Sequence, residues 1–338
     1  MTDKQVRPGQ ADVLRKGDVS RSLPPDGVVN VLKAPGFTSH DIVARIRRAY
    51  NLKKVGHAGT LDPDAAGVLP VFLGNATRLL EYAVEGTKNY RAEACLGVYT
   101  DTGDDSGKVL ERLPVPEITE EQFLRVLEGF RGEILQVPPM YSALRVNGKK
   151  LYEYARAGIE VERQPRKIEV YRLELVDFNP PYFVLDVECS KGTYIRTLLE
   201  DIGKALGTVA TMTFLLRTRV AGFTMEEAST LEEIGADPAS CLQPLETAVA
   251  TLPALRVNPL QAYRITNGVR TTIAGTPDGR YVLREVDFGQ ETGHRPPERE
   301  DAPAPEGRFL GVVQAEEEKV RAAKIIFHSD YKPEKKPE

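Results

Sequence analysis

In the stretch HAGTLDPDAAGVLP, residues 57 to 70, a single carboxylate, Asp62, stands between Leu61 and Pro63 among small and apolar residues. The proline steers Asp62 away from helical backbone angles, and Pro63 itself suits the first position of a helix or turn. On that reading Asp62 is an N-cap that accepts backbone N–H bonds and needs no chemistry. The neighbours add what a cap does not require. Gly56, Gly59 and Gly67 with Ala58, Ala65 and Ala66 keep side chains short on both sides, so a bulky ligand can approach the carboxylate. Asp64 completes a D-x-D spacing of the kind that holds a divalent cation in a sugar-nucleotide transferase. Two carboxylates without a third acidic or histidine ligand nearby are thin support, and no metal is expected.

Arg196 is the second residue out of place. It falls in the first turn of a helix in TYIRTLLEDIGKALG, where the positive end of the helix dipole disfavours a cation. An i,i+4 pair with Glu200 is worth only about 0.3–0.5 kcal/mol. A buried anion explains the position better, and Asp62 is the candidate: an arginine partner favours the ionised carboxylate while desolvation opposes it. Tyr90 lies on the apolar face of a strand, as a core residue would, and its phenol can also stack on a base or move a proton. His57 reads as a turn residue.

The elements that carry these residues are legible. TSHDIVARIRRAY is a helix with Thr38 and Asp41 as a capping pair and Ile42, Val43, Ile46 and Ala49 as its buried stripe. ITEEQFLRVLEGFRG is a second, with Thr119 and Gln122 as capping box and Gly132 just past its end. KNYRAEACLG alternates, with Tyr90, Ala92, Ala94 and Leu96 on one face, and YFVLDVEC does the same with Phe183, Leu185, Val187 and Cys189. The Arg196 helix is predicted to be capped by Thr193 and stopped at Gly207. Strands and helices mix without a strict βαβ repeat, which predicts an α+β fold: a mixed, largely antiparallel sheet flanked by helices.

Along the chain, residues 1–23 are expected to be a disordered tail, 24–250 a catalytic domain and 252–329 a small β-rich domain, with a tail at 330–338. The stretch from about 225 reads as an acidic helical linker. In the small domain NPLQAYRITNG starts a helix capped by Asn258, and RYVLREV, RFLGVVQA and VRAAKIIF are strands. A Pro/Glu/Gly-rich insertion at about 288–307 is expected to be disordered.

The chain has 338 residues and 41% hydrophobic composition, enough for a large core, and its longest apolar runs are far shorter than a bilayer span. A soluble, cytoplasmic protein is expected, because the first 23 residues lack a signal-peptide apolar stretch and Cys95, Cys189 and Cys241 suit reduced thiols. The net charge of -4 does not suggest a nucleic-acid binder, but its distribution is uneven. Residues 141–172 hold eight Lys or Arg against four Glu, whereas 99–133 hold nine acids against four bases. A local basic face can still attract a polyanion.

Taken together, GHAGTLDPDAAGVLP, KNYRAEACLG, PPMYSALRVNGKKLYEYARAGIEVER and SKGTYIRTLLEDIGKALG, in that order, resemble the bacterial tRNA pseudouridine-55 synthases, the TruB family. The resemblance covers roughly residues 27–220, and the C-terminal unit looks like that family's PUA-type RNA-binding domain. It implies a cofactor-free isomerase that cleaves the glycosidic bond of the T-loop uridine of tRNA, turns the uracil and rejoins it through carbon. By the resemblance Asp62 is the catalytic aspartate, Arg196 its partner and Tyr90 the tyrosine that stacks on the target base. His57 and Lys33 fall on RNA-contacting positions, and Leu216 on the apolar residue that shields the aspartate. Lys33, Ala34 and Pro35 depart from the usual Lys-Pro order, and Ala66 stands where threonine is common.

A flipped uridine costs a few kcal/mol of unstacking. Aromatic and cationic contacts offset such costs in single-stranded RNA recognition, and Tyr141, Arg145, Lys149 and Lys150 are the candidates here, with Tyr152 and Tyr154 either beside them or in the core. The expected partner is the T stem-loop of tRNA, met by a monomer without guide RNA, membrane or metal. A tRNA-binding chaperone without catalysis and a metal-dependent glycosyl transferase are the competing readings.

Overall fold

Two apolar runs, GVVNVLK and AGVLPVFL, form the antiparallel strands Gly27–Lys33 and Ala66–Leu73 and are buried on both faces. Such strands read as continuous apolar runs because both sides of the sheet are covered. Val29, Val31, Leu69 and Val71 face a core built with Ile42 and Ile46 of one helix and Leu198, Leu199 and Ile202 of another. Val28, Val68 and Phe72 face the other way, against Phe223, Val282, Phe309 and Val312. A computed structural model describes residues 26–286 and 307–332. The expected tail 1–23, the insertion at 288–307 save Gly307, and residues 333–338 lie outside the described residues.

The two strands belong to a nine-stranded sheet whose order is Gly27–Lys33, Ala66–Leu73, Ala210–Val220, Lys88–Leu96, Tyr182–Cys189, Arg166–Asn179 and Gly132–Gln136. Val55–His57 and Phe223–Thr224 pair at its sides. Every pairing is antiparallel except the short contact of Ala66–Leu73 with Ala210–Val220, so the sheet is mixed and largely antiparallel, as the alternation predicts. The register sets Tyr90 directly across from Arg217 and Ala92 from Leu215.

The capping boxes Thr38/Asp41 and Thr119/Gln122 form as predicted. The second helix stops earlier than expected, at Glu128 with Gly129 as C-cap; Gly132, at φ +79°, opens the next strand instead. Thr193 does not cap the helix Ile195–Ala205. Tyr194 is the N-cap without a side-chain bond, and the Thr193 hydroxyl turns back to the Ser190 carbonyl at 3.0 Å. The cap is supplied from a distance. Buried Gln136 accepts from Tyr194 N at 2.8 Å and donates to Tyr194 O at 3.0 Å.

The segment from 225 is not a linker. Leu32 N donates to Ser229 O and Val28 N to Gln243 O, each bond answered in return by Ser229 N to Asn30 O and Gln243 N to Val28 O, so the segment covers the open edge of Gly27–Lys33. Beyond it a five-stranded sheet runs Ala254–Val257, Gly279–Glu285, Arg308–Glu316, Lys319–Ile325, Thr271–Thr272, with a helix Pro259–Thr266 capped by Asn258. Val282, Phe309 and Val312 join it to the large sheet through the shared apolar cluster, flanked by Arg280–Glu85 and Lys324–Glu81 ion pairs, each at 2.7 Å. Among the described residues no helix is long and apolar enough to cross a membrane.

Candidate active site

Asp62 caps no helix. Its carbonyl accepts from Ala65 N in a turn that runs directly into the strand Ala66–Leu73. Four side chains hold that turn from different parts of the chain. Ser39, buried at the start of its helix, exchanges bonds with Leu61 N at 3.0 Å and Leu61 O at 3.2 Å. Lys33 donates to Pro63 O at 2.9 Å and Ala65 O at 2.5 Å. Arg217 reaches Gly59 O at 3.1 Å and Val68 O at 2.9 Å. Arg196 Nη2 lies 3.2 Å from the Asp62 carboxylate. Gly67, at φ +112°, is required where the turn meets the sheet, since a Cβ there would sit 2.1 Å from Arg217 O.

Arg196 is 8% exposed and gathers three loops onto its helix. Besides Asp62 it donates to Thr102 O at 2.6 Å and Tyr141 O at 2.9 Å, and Asp104 lies 3.7 Å away. Glu200 is occupied by Lys204 at 2.7 Å, so the local i,i+4 explanation for Arg196 does not hold. Asp104 is itself fixed by Thr102 and Ser106 hydroxyls, a role the sequence offered no pattern to find.

Two cavities meet at Asp62. The smaller, about 280 Å³, is lined by Tyr90, Lys88, Tyr194, Arg196, Leu215 and Arg217. The larger, about 510 Å³, opens toward His40, Asp104, Tyr141, Lys150, Tyr152 and Arg156. Burial pushes the Tyr90 phenol up, and the Arg217 guanidinium within hydrogen-bonding reach opposes that rise. Tyr90 is therefore neutral at physiological pH.

Two expected assignments are corrected. Lys33 is fully buried with its Nζ enclosed by carbonyls, so it cannot contact RNA; it buttresses the Asp62 turn, and burial lowers its pKa to about 8. Leu216 does not cover Asp62. It pairs with Ala66 and faces away, because successive strand residues alternate sides, and Leu215 lines both cavities in its place. His57 is half-buried and lines neither cavity; its ring sits edge-on to His40, 5.7 Å between centroids, and burial lowers its pKa. His40 is the histidine that reaches the cleft.

Arg145 and Lys149 stand exposed on a hairpin beside Lys150. Lys149 lies 6.0 Å from the Tyr154 ring, and Lys150 and Arg156 lie 5.4 Å from that of Tyr152, so the two tyrosines carry the cations rather than fill the core. Asp64 is exposed at the rim of the larger cavity. Among the described residues no group of three or more His, Cys, Asp or Glu is arranged to hold a metal ion.

Solved structures share this architecture over most of its length. The chain is 26% identical to one described as an H/ACA RNP bound to a substrate RNA containing 2′-deoxyuridine, covering 91% of this chain and 87% of that one at TM-score 0.64. It has the same identity to the archaeal box H/ACA sRNP Nop10-Cbf5 complex, with 90% and 87% covered at TM-score 0.63. The fold and site define a pseudouridylate synthase: residues 47–195 match the TruB family pseudouridylate synthase N-terminal domain, and residues 196–250 match the tRNA pseudouridylate synthase B C-terminal domain. The chain belongs to the TruB family. Among curated relatives, tRNA pseudouridine synthase B of Caldanaerobacter subterraneus subsp. tengcongensis is 52% identical over 89% of this chain and 99% of its own. That of Symbiobacterium thermophilum is 49% identical over 73% and 84%.

Proposed function

We infer that this chain converts the T-loop uridine of tRNA to pseudouridine, alone and without guide RNA, metal or cofactor. The observation that carries the reading is the Asp62–Arg196 pair, 3.2 Å apart on the wall of a cavity of about 280 Å³ that also contains Tyr90. The family membership and the names of its relatives supply the substrate class. The uridine leaves its stack and its uracil lies against Tyr90, with the ribose C1′ toward Asp62. The C1′–N1 bond breaks, the ring turns, and C5 bonds to C1′ as the C5 proton leaves and N1 takes one up. Asp62 acts by attack on the sugar or the base, or by assisting elimination. Leu215 and Tyr90 exclude water from the separated ring.

The basic hairpin with Arg145, Lys149 and Lys150 holds the phosphates, and Tyr141 and His40 lie beside the flipped nucleotides, with His57 supporting His40 edge-on. Residues 252–329 act as a PUA-like RNA-binding unit. The protein works as a cytoplasmic monomer, a setting that fits its three unpaired thiols. Incubation with an unmodified T-arm stem-loop labelled with tritium at uridine C5 tests this. Tritium release in EDTA without guide RNA is expected. Product only with guide RNA, or only with a divalent ion, would overturn the reading.

A further inference from the structure

The smaller cavity has a cationic floor that the isomerisation as described does not use. Lys88 and Arg217 line it together and are 7% and 1% exposed. Gly59 marks how near they come, since a Cβ built there would be 3.5 Å from Arg217 Nη1 and 3.9 Å from Lys88 Cε. Among the described residues, neither pairs with a carboxylate. Lys88 Nζ donates to Val84 O at 2.8 Å and Gly86 O at 2.7 Å, and Arg217 donates to the carbonyls of Val68, Gly59 and Thr60. Burying two cations side by side without an ion pair is unfavourable, and Asp62, which lines the same cavity, acts on Arg217 without pairing with it. The arrangement is accounted for if an anion forms above them during the reaction.

Isomerisation forms one. When C1′–N1 breaks, its electron pair stays with the pyrimidine and spreads over N1, O2 and O4, while C1′ gains a pair from Asp62 or from loss of the C2′ proton. The ring must then turn before C5 uses a ring pair to bond C1′. A hydrogen bond aimed at one ring atom would resist that turn. Cations held by backbone carbonyls give a positive potential without favouring one orientation, and fixed charges of this kind require no reorganisation when the reaction's charge develops.

We propose that Lys88 and Arg217 form a cationic floor that stabilises the departing uracil anion through its rotation. This rests on the isomerase reading above. Lys88 has a built-in readout, because burial first, and then Arg217, lowers its pKa to about 8. The charged and titratable groups around it are Arg217, Lys191, Tyr90, Asp62 and the Cys189 thiol, the last pushed up to about 11. The floor therefore loses charge as pH rises through about 8.

Single-turnover tritium release on the stem-loop, with binding measured separately, tests the floor in the wild type, Lys88→Met and Lys88→Arg. Lys88→Met is expected to slow release by about 10²-fold, the scale of losing one preorganised charge-stabilising donor, with stem-loop affinity unchanged. Lys88→Arg is expected to keep the rate at pH 7 and to hold it at pH 9, where the wild type falls. Lys33 titrates in the same range but is common to all three proteins, so the difference isolates Lys88. If Lys88→Met does not fold, the alkaline comparison of wild type with Lys88→Arg decides. Equal rates for wild type and Lys88→Met, or identical alkaline profiles for wild type and Lys88→Arg, overturn the proposal. A wild type inactive on the stem-loop would contradict the isomerase reading itself.

Discussion

Lys33 and Arg217 are among the largest fully buried side chains, and both end on the carbonyls of the Asp62 turn. Their cost is electrostatic and pH-dependent. The folded pKa of Lys33 is about 8 against an ordinary 10.5, so between those values the unfolded chain binds a proton that the folded chain does not. Stability from this group therefore rises as pH goes from about 8 toward 10.5. Tyr50 and Cys189, whose pKa values burial raises, act in the opposite sense. The difference from Lys33→Met isolates the lysine: urea midpoints at pH 7 and pH 10 should show wild type gaining on the variant, and a constant difference would contradict the account. Asp62 was readable from its small neighbours. The destination of Lys33 was not, because nothing local distinguishes a lysine that meets phosphate from one enclosed by carbonyls thirty residues away.

At the scale of elements, alternation and capping patterns located strands and helices well, since Thr38/Asp41 and Tyr90/Ala92/Ala94/Leu96 encode their geometry locally. What failed needed tertiary partners. Leu215 and Leu216 are equally apolar, and only the register opposite Ala92 and Ala66 decides which one faces Asp62. Thr193 looked like a cap, yet Gln136, 58 residues away, makes both bonds to Tyr194. Gln136→Ala removes the partner of the Tyr194 N–H at the point where Arg196 enters its helix, while the Tyr194 carbonyl keeps its bond from Leu198 N. It should destabilise the protein by about 1–3 kcal/mol, measured by chemical denaturation. A loss within error would show that the clamp is dispensable.

Across the whole molecule, the uneven charge found in the sequence becomes a basic hairpin at the cleft mouth. The acidic stretch before it supplies Asp104 behind Arg196. The small sheet packs its Val282, Phe309 and Val312 against the back of the large one, so the two should unfold together. Phe309→Ala is expected to cost about 3–5 kcal/mol and to lower one transition seen alike by fluorescence and circular dichroism. Two separate transitions would contradict that coupling. A composition shift at residue 225 suggested a linker only because edge-covering hydrogen bonds leave no mark on composition. The central claim, that Asp62 performs the isomerisation and is not there to grip RNA, is tested most directly by Asp62→Ala on the unmodified stem-loop. The account predicts no detectable pseudouridine with stem-loop affinity retained; measurable turnover by the variant would contradict it.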